Sequence, residues 1–260
     1  VKGKLAKKND KPWVVDDVPV PFDNPWNSYM RIGGLDLFSD GTSAAVSTWN
    51  GDVWVVSGLD DDLDEVKWRR YATGLFETLG LRIVDDVVYV NGKDQITRLH
   101  DLDKDGEADF YECFNNDVYT TRNFHEFTFD LQTDSAGNFY ISKGAPVRSG
   151  GRGFEKIIPH HGTVLKIAKD GSKLEVYARG MRAPNGIGVG PDGQVTSGDN
   201  EGTWVPRCKL HWLQPGSFQG VMDVAHTDEA PKDYNKPLCW FPMSVDNSGG
   251  GQVWVPEDER

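Results

Sequence analysis

Gly34-Leu-Asp-Leu-Phe-Ser-Asp-Gly41 returns as Gly186-Ile-Gly-Val-Gly-Pro-Asp-Gly193, with a looser copy at Asp130-Leu-Gln-Thr-Asp-Ser-Ala-Gly137 and a shortened one at Gly80-Leu-Arg-Ile-Val-Asp-Asp86. Each copy reads as a short alternating strand running into a tight turn, where Asp-Gly supplies the positive φ that a hairpin needs. Second strands follow at residues 45–46, 87–90, 139–141 and 195–196, and third strands at 52–56, 95–99 and 163–167. Fourth strands close the units in similar words: Tyr71-Ala-Thr-Gly-Leu75, Tyr111-Glu-Cys113 and Tyr177-Ala-Arg-Gly-Met181. The units start near residues 34, 80, 130 and 186. That spacing of roughly 50 residues is near the period of propeller blades. Four strands per repeat and almost no helical periodicity predict an all-β fold, a β-propeller of four-stranded antiparallel blades. A fifth unit opens near Trp240, and Gly251-Gln-Val-Trp-Val255 mirrors Gly51-Asp-Val-Trp-Val55. The expectation is an extended segment over residues 1–28, then a propeller over 29–260 with about four blades and the start of a fifth. Such a chain reads as a piece of a longer protein.

Composition narrows the function classes. The 260 residues carry a net charge of −12, so no basic stripe is present to displace phosphate counterions, and nucleic acid is excluded as a partner. No apolar run approaches the roughly 18–20 residues that span a bilayer as a helix. Cys113, Cys208 and Cys239 are widely spaced, without Cys-x-x-Cys or Cys-x-x-Cys-His, so this chain offers neither a zinc ribbon nor a c-type haem site of its own. Buried thiols are the expectation.

Topology assigns the loops to faces. In a four-stranded antiparallel blade, the loops ahead of the first strand and those between the second and third strands share one face. First strands line the centre, so the loops ahead of them converge where propeller ligands lie. Those loops carry Arg31, Glu77, His125 with Glu126, and Arg182 with Asn185. The second-to-third loops carry Trp49, Asn50, Asn91, Lys143, Arg148, Asp199, Asn200 and Glu201. Two of these loops read as long, over residues 143–162 with His160 and His161, and over 197–241 with Trp204, His211 and Trp212. Long connections are usually functional or disordered. His, Arg, Lys and Trp gathered on one face point to a ligand site, with Trp49, Arg148, His161, Trp204 and Trp212 as candidate substrate contacts.

Asp101-Leu-Asp-Lys-Asp-Gly-Glu-Ala-Asp109, with Glu112 three residues on, matches the calcium-loop spacing at positions 1, 3, 5, 6, 9 and 12. The candidate ligands are Asp101, Asp103, Asp105, the Glu107 carbonyl, Asp109 and Glu112. Strands rather than helices flank the loop, so it resembles the calcium loops in propeller blades of integrin type. In that setting Asp109 ligates directly and Glu112 belongs to a strand. As a turn between third and fourth strands it lies opposite the predicted site, and its role is structural.

A family resemblance rests on Arg179-Gly-Met-Arg-Ala-Pro-Asn-Gly-Ile-Gly-Val-Gly-Pro-Asp-Gly193 followed by Ser197-Gly-Asp-Asn-Glu-Gly202. This stretch resembles the soluble glucose/sorbosone dehydrogenases, six-bladed propellers that use pyrroloquinoline quinone (PQQ) and calcium. The resemblance implies that Arg182 contacts the quinone. It implies that Lys143, Asp199, Asn200, Glu201 and Gly202 hold the cofactor and a second calcium ion. It also implies that His125 is the general base taking a sugar hydroxyl proton while hydride passes to the quinone. Ala183 stands where the family has asparagine, and Thr203 where it has proline. Thr48-Trp-Asn-Gly-Asp-Val-Trp54, Pro215-Gly-Ser-Phe218 and the segment over residues 244–255 are similar to the large PQQ-dehydrogenase-like propellers of planctomycetes and verrucomicrobia. That likeness implies a periplasmic or secreted protein, with a c-type haem domain or another electron acceptor outside this chain.

Three functions are compatible with these residues. One is a quinone-dependent sugar or alcohol dehydrogenase with His125 and Arg182 at its centre. Another is a calcium-dependent lactonase, which would need a central metal bound by Glu, Asn and Asp from different blades, a set to which Glu77, Asn91, Asn185 and Asp199 could contribute. The third is a non-catalytic propeller that binds carbohydrate or protein by stacking on Trp49, Trp204 and Trp212.

Overall fold

The computed structural model describes residues 1–7, 13–202, 205 and 207–255. The first blade is β1 (Ile32–Leu37), β2 (Ser43–Thr48), β3 (Val53–Ser57) and β4 (Lys67–Ala72). The second is β5 (Gly80–Val84), β6 (Val87–Asn91), β7 (Ile96–His100) and β8 (Phe110–Asn115). The third holds β9 (Thr128–Thr133), β10 (Phe139–Lys143), β11 (Thr163–Ile167) and β12 (Leu174–Arg179). The fourth holds β13 (Pro184–Val189), β14 (Val195–Asp199), β15 (Lys209–Leu213) and, after a long connection containing β16 (Ser217–Phe218), β17 (Cys239–Trp240). The fold class is therefore an all-β propeller of four-stranded antiparallel blades. Among the described residues no helix is long and apolar enough to cross a membrane.

The chain divides into two compact units, one of residues 1–92 and 97–112 and one of 93–96 and 113–260. Second strands are the most enclosed: every residue of β2, β10 and β14 is buried. A strand covered on both faces loses the apolar–polar alternation and takes small or β-branched residues, as in Ser-Ala-Ala-Val-Ser-Thr of β2. The outer strand β4 alternates instead, with Lys67 and Arg69 outward. In the first unit Ala45, Val53, Leu81, Val88, Val90 and Leu99 form one buried core. In the second, Tyr140, Val164, Ala178, Met181, Ile187, Val195 and Leu213 form another.

Each unit repeats one device where a first strand meets the next. β1 lies against β5, and β9 against β13. Asp36 Oδ2 accepts the Ile83 amide at 2.8 Å, and Asp130 Oδ2 accepts the Ile187 amide at 2.9 Å. The carboxylates written into the repeated motif thus tie neighbouring blades together. At Gly34 a Cβ would stand 2.7 Å from the Leu81 nitrogen, so the approach of β1 to β5 requires glycine.

The structure corrects three sequence readings. The long loop expected over residues 197–241 is interrupted by β15, so His211 and Trp212 sit on a strand. Trp240, read as opening a fifth unit, closes the fourth: Lys209 pairs with Trp240 and Leu210 with Cys239. Residues 249–255 supply the next contact instead, where the Gln252 amide donates to the Gly186 carbonyl beside β13 at 3.1 Å. Cys208 is buried as expected, whereas Cys113 and Cys239 are exposed.

The connection from β15 to β17 also crosses blades. Its β16 adds to the third blade in parallel with β12, pairing Ser217 with Ala178 and Phe218 with Arg179. Val221 and Val224 then close a small core with Ala145, Val147 and Phe154 of the β10–β11 loop. Two long loops clasp each other in this way, and both are held over one end of the second unit.

Candidate functional site

The second unit gathers most of the candidate residues, and two buried carboxylates place them. Glu126, just ahead of β9, is fully enclosed. Its Oε1 accepts the Thr120 hydroxyl at 2.6 Å and the Thr121 amide, and its Oε2 accepts the Thr121 hydroxyl at 3.1 Å. His161 Nε2 lies 2.5 Å from Oε2, and the Lys93 ammonium 4.0 Å from Oε1. The His161 Nδ1 accepts the Ile158 amide at 3.2 Å, so the proton sits on Nε2 and points at Glu126. Burial by itself would raise the Glu126 pKa. Hydrogen bonds from His161 and Thr120 and the nearby Lys143 charge outweigh it and hold the carboxyl at about 2.

This anchoring fixes the loop that carries His125. Asn123 Oδ1 accepts the His125 amide at 2.8 Å, and the Asn123 carbonyl accepts from Lys93 Nζ at 2.9 Å. The His125 ring lies between Phe124 and Phe127, each with its centroid 5.8 Å away. It is half-buried, and its enclosed Nδ1 has no hydrogen-bond partner. Its pKa falls below 6.5, first from burial and then from the Arg182 guanidinium, against a smaller opposing pull from the Ala145 carbonyl. His125 is therefore neutral at pH 7, with one nitrogen free to accept a proton.

Asp199, at the end of β14, is the second anchor. Its Oδ1 accepts the Ala183 amide at 2.8 Å and its Oδ2 the Arg182 amide at 3.2 Å. Lys209 Nζ stands 2.9 Å from Oδ2 and His211 Nε2 3.9 Å from it. Burial would raise its pKa, but the Lys209 charge and His211 hold it at about 2. Arg182 thus leaves the chain at a pinned position, and its Nη2 donates to the Gly151 carbonyl at 2.9 Å. The structure brings His125, Arg182, Asp199 and Asn200 into one loop cluster.

Other candidates are committed elsewhere. Lys143 is fully buried, with Nζ bonded to Thr128 Oγ1 at 3.1 Å, the Lys93 carbonyl at 3.3 Å and Thr120 Oγ1 at 3.4 Å. His161 is equally enclosed against Glu126, so neither meets a ligand directly. Asn200, Glu201 and Gly202 are half-exposed; the Asn200 carbonyl accepts from Lys209 at 3.1 Å. Arg148 is exposed, and its carbonyl accepts the Gly151 amide in a tight turn. Trp212 meets Trp254 edge-on at 6.2 Å. Trp49 belongs to the first unit, where the Arg31 guanidinium lies 3.8 Å over its ring. Thr203 and Trp204 lie outside the described residues.

The acidic loop of the first unit joins β7 to β8. Asp101, Asp103 and Asp109 each bring a carboxylate oxygen within 4.8 Å of the others. Asp101 Oδ1 is enclosed without a partner, while Oδ2 accepts the Gly106 amide at 2.9 Å. Three convergent hard oxygen donors fit a calcium ion. Asp105 and Glu107 stand outside this trio: Asp105 Oδ1 accepts the Glu107 amide at 2.8 Å, and its carbonyl accepts from Arg69. Glu112 faces across the sheet, where Arg98 Nε donates to it at 2.7 Å and His100 Nε2 lies 2.7 Å away. Those partners, His100 foremost, lower its pKa.

No protein-family profile matches the chain, and no curated protein matches its sequence. Solved structures do match. The PQQ-bound aldose sugar dehydrogenase of Streptomyces coelicolor gives a TM-score of 0.63 at 14% identity, over 86% of this chain and 71% of that one. The PQQ domain of the pyranose dehydrogenase of Coprinopsis cinerea gives 0.57 at 13% identity, over 85% and 61%. A proposed gluconolactonase gives 0.50 at 19% identity, over 74% and 64%. At these identities the likeness establishes the propeller fold.

The two anchors make stability depend on acid. Glu126 and Asp199 have folded pKa values of about 2, against 4.5 and 3.8 for the free groups. Lowered carboxyl pKa values stabilise the fold above the unfolded values, and that contribution is lost as pH falls toward 2. For Glu126 the loss is on the order of 3 kcal/mol. Denaturant unfolding followed from pH 7 to pH 2 should show this decline, and Glu126→Gln should be less stable at pH 7 with a shallower acid slope. An unchanged slope in Glu126→Gln would contradict the assignment.

Proposed function

We propose that the chain is a quinone-dependent dehydrogenase of sugars or other alcohols, with His125 as general base and Arg182 as the cation beside it. One observation carries this reading: a neutral, half-buried imidazole with an unpartnered Nδ1 lies next to a buried guanidinium. The His125 imidazole takes the proton of a substrate hydroxyl as the carbon bearing it is oxidised. Burial first and the Arg182 charge second keep the imidazole neutral before the reaction, and Arg182 offers positive charge to developing negative charge on oxygen. Phe124 and Phe127 limit water around the base. PQQ, when bound, supplies the hydride acceptor.

The residues fit such a group at Arg182, Glu201 and Gly202, which would hold it together with its calcium ion. The Asn200 side chain can assist. Lys143 and Asp199 act behind them, Lys143 by neutralising Glu126 and Asp199 by fixing Arg182. A propeller likeness to two PQQ-dependent sugar dehydrogenases supports this reading. The lactonase alternative is less favoured because Asp199, a candidate contributor to its metal, already serves two amides and Lys209. On the dehydrogenase reading the protein is periplasmic or secreted and passes electrons to an acceptor outside this chain, such as a c-type haem domain.

Addition of PQQ and calcium should give saturable quinone binding and reduction of an artificial electron acceptor with members of an aldose panel. His125→Asn should lower kcat by about 10²–10⁴-fold while quinone binding persists. Failure of the wild-type chain to bind quinone would sink the reading.

We assign Asp101, Asp103 and Asp109 to a structural calcium ion in the β7–β8 turn. Calcium at about 100 times its Kd should stabilise the fold by about 3 kcal/mol, and Asp101→Asn should remove that increment. A melting temperature indifferent to both calcium and chelator would contradict the assignment.

A further inference from the structure

The long connection between β15 and β17 builds a cavity of about 510 Å³ that borders Gly202 but is lined by neither His125 nor Arg182. Lys209, Gln219, Val221, Asp223, Tyr234 and Trp240 line it. Its walls are held by backbone bonds: the Gln219 amide donates to the Arg179 carbonyl, the Val221 amide to Gly180, and the Asn235 amide to Phe218. Tyr234 packs over Gly220, where a Cβ would stand 3.2 Å from the ring and φ is +105°. Glycine at that position leaves the aromatic face open to the cavity.

Three observations define the ligand. Gln219 is buried, 3% exposed, and its Nε2 donates to Ser217 Oγ at 2.7 Å, which leaves Oε1 without a partner. A buried amide oxygen in this state calls for a ligand that brings a donor. Among the described residues lining the cavity the buried cation is Lys209, already matched by Asp199 at 2.9 Å, so an anion gains no unpaired charge there. Lys209 Nζ also stands 5.7 Å from the Trp240 ring centre, so a second cation on that ring would meet like charge. What remains is an uncharged, donor-rich molecule with an apolar face for Trp240 and Tyr234, and with hydroxyls for Gln219 Oε1 and the exposed Asp223 carboxylate.

We propose that this cavity is a carbohydrate-binding site for a neutral pyranose-type ring, separate from His125 although it borders the Gly202 loop to which the dehydrogenase reading assigns the cofactor. The ring lies against the aromatic side chains, and one hydroxyl donates to Gln219 Oε1.

Maltose and cellobiose titrated into the whole chain, without quinone, test this by calorimetry and tryptophan fluorescence. At least one should bind saturably. Gln219→Leu and Trp240→Ala should each weaken binding by about tenfold or more, and Trp240→Phe should retain most of it. His125→Asn should leave binding unchanged, so this site and the proposed catalytic site can fail separately. Choline and gluconate should not compete. If Trp240→Ala melts early, Gln219→Leu and Trp240→Phe still decide the matter. The proposal is overturned if neither sugar binds saturably below roughly 50 mM. It is equally overturned if binding ignores the Gln219 substitution, or if choline or gluconate displaces the sugar.

Discussion

Asp199 carries a charge with no water to answer it. Its two oxygens are served by the amides of Arg182 and Ala183 and by the ammonium of Lys209. A buried pair of this kind adds little net stability, since desolvation offsets most of the attraction. Its contribution is position. It fixes the backbone where β13 begins, so Arg182 starts from a defined point and reaches the Gly151 carbonyl. From there its charge acts on His125. Glu126 does the matching work on the other side, holding Thr120, Thr121 and His161 so that the next residue back along the chain, His125, is presented with one nitrogen free. The placement of His125 and Arg182 thus depends on two carboxylates enclosed by protein.

The blades were legible because their turn chemistry repeats. Asp-Gly at residues 40–41 and 192–193 marks two hairpins, and the carboxylates of Asp36 and Asp130 each bind an amide in the first strand of the next blade. Register then put His125 and Arg182 ahead of first strands, where the structure has them. The connection over residues 214–238 was not legible, because it lacks periodicity and its strand β16 pairs with a different blade. Trp240 misled for a related reason: an aromatic after a loop reads alike whether it opens a unit or closes one. Glu126 and His161 lie 35 residues apart, and no local pattern announces such a bond. Glu112 fits calcium-loop spacing, yet strand pairing turns it toward Arg98 and His100 on β7.

The resemblance to quinone enzymes assigns Lys143 and Asp199 to the cofactor, and the structure gives both of them protein partners. Lys143 looks like a cation for a cofactor, but Thr120, Thr128 and the Lys93 carbonyl surround it and it neutralises Glu126 from within. Asp199 meets the Arg182 and Ala183 amides and the Lys209 ammonium. Sequence alone cannot separate a charge that faces a ligand from one that holds the residue doing so. Burial and committed hydrogen bonds bear on that distinction, and here Lys143 and Asp199 are enclosed by protein partners.

The central claim is that His125 is a neutral base because burial and Arg182 together depress its pKa. An NMR titration of the His125 imidazole in the wild type and in Arg182→Met tests it most directly. The account predicts a wild-type pKa below the ordinary 6.5, rising when the guanidinium is removed. A wild-type value at or above 6.5, or one that ignores the Arg182 substitution, would contradict it.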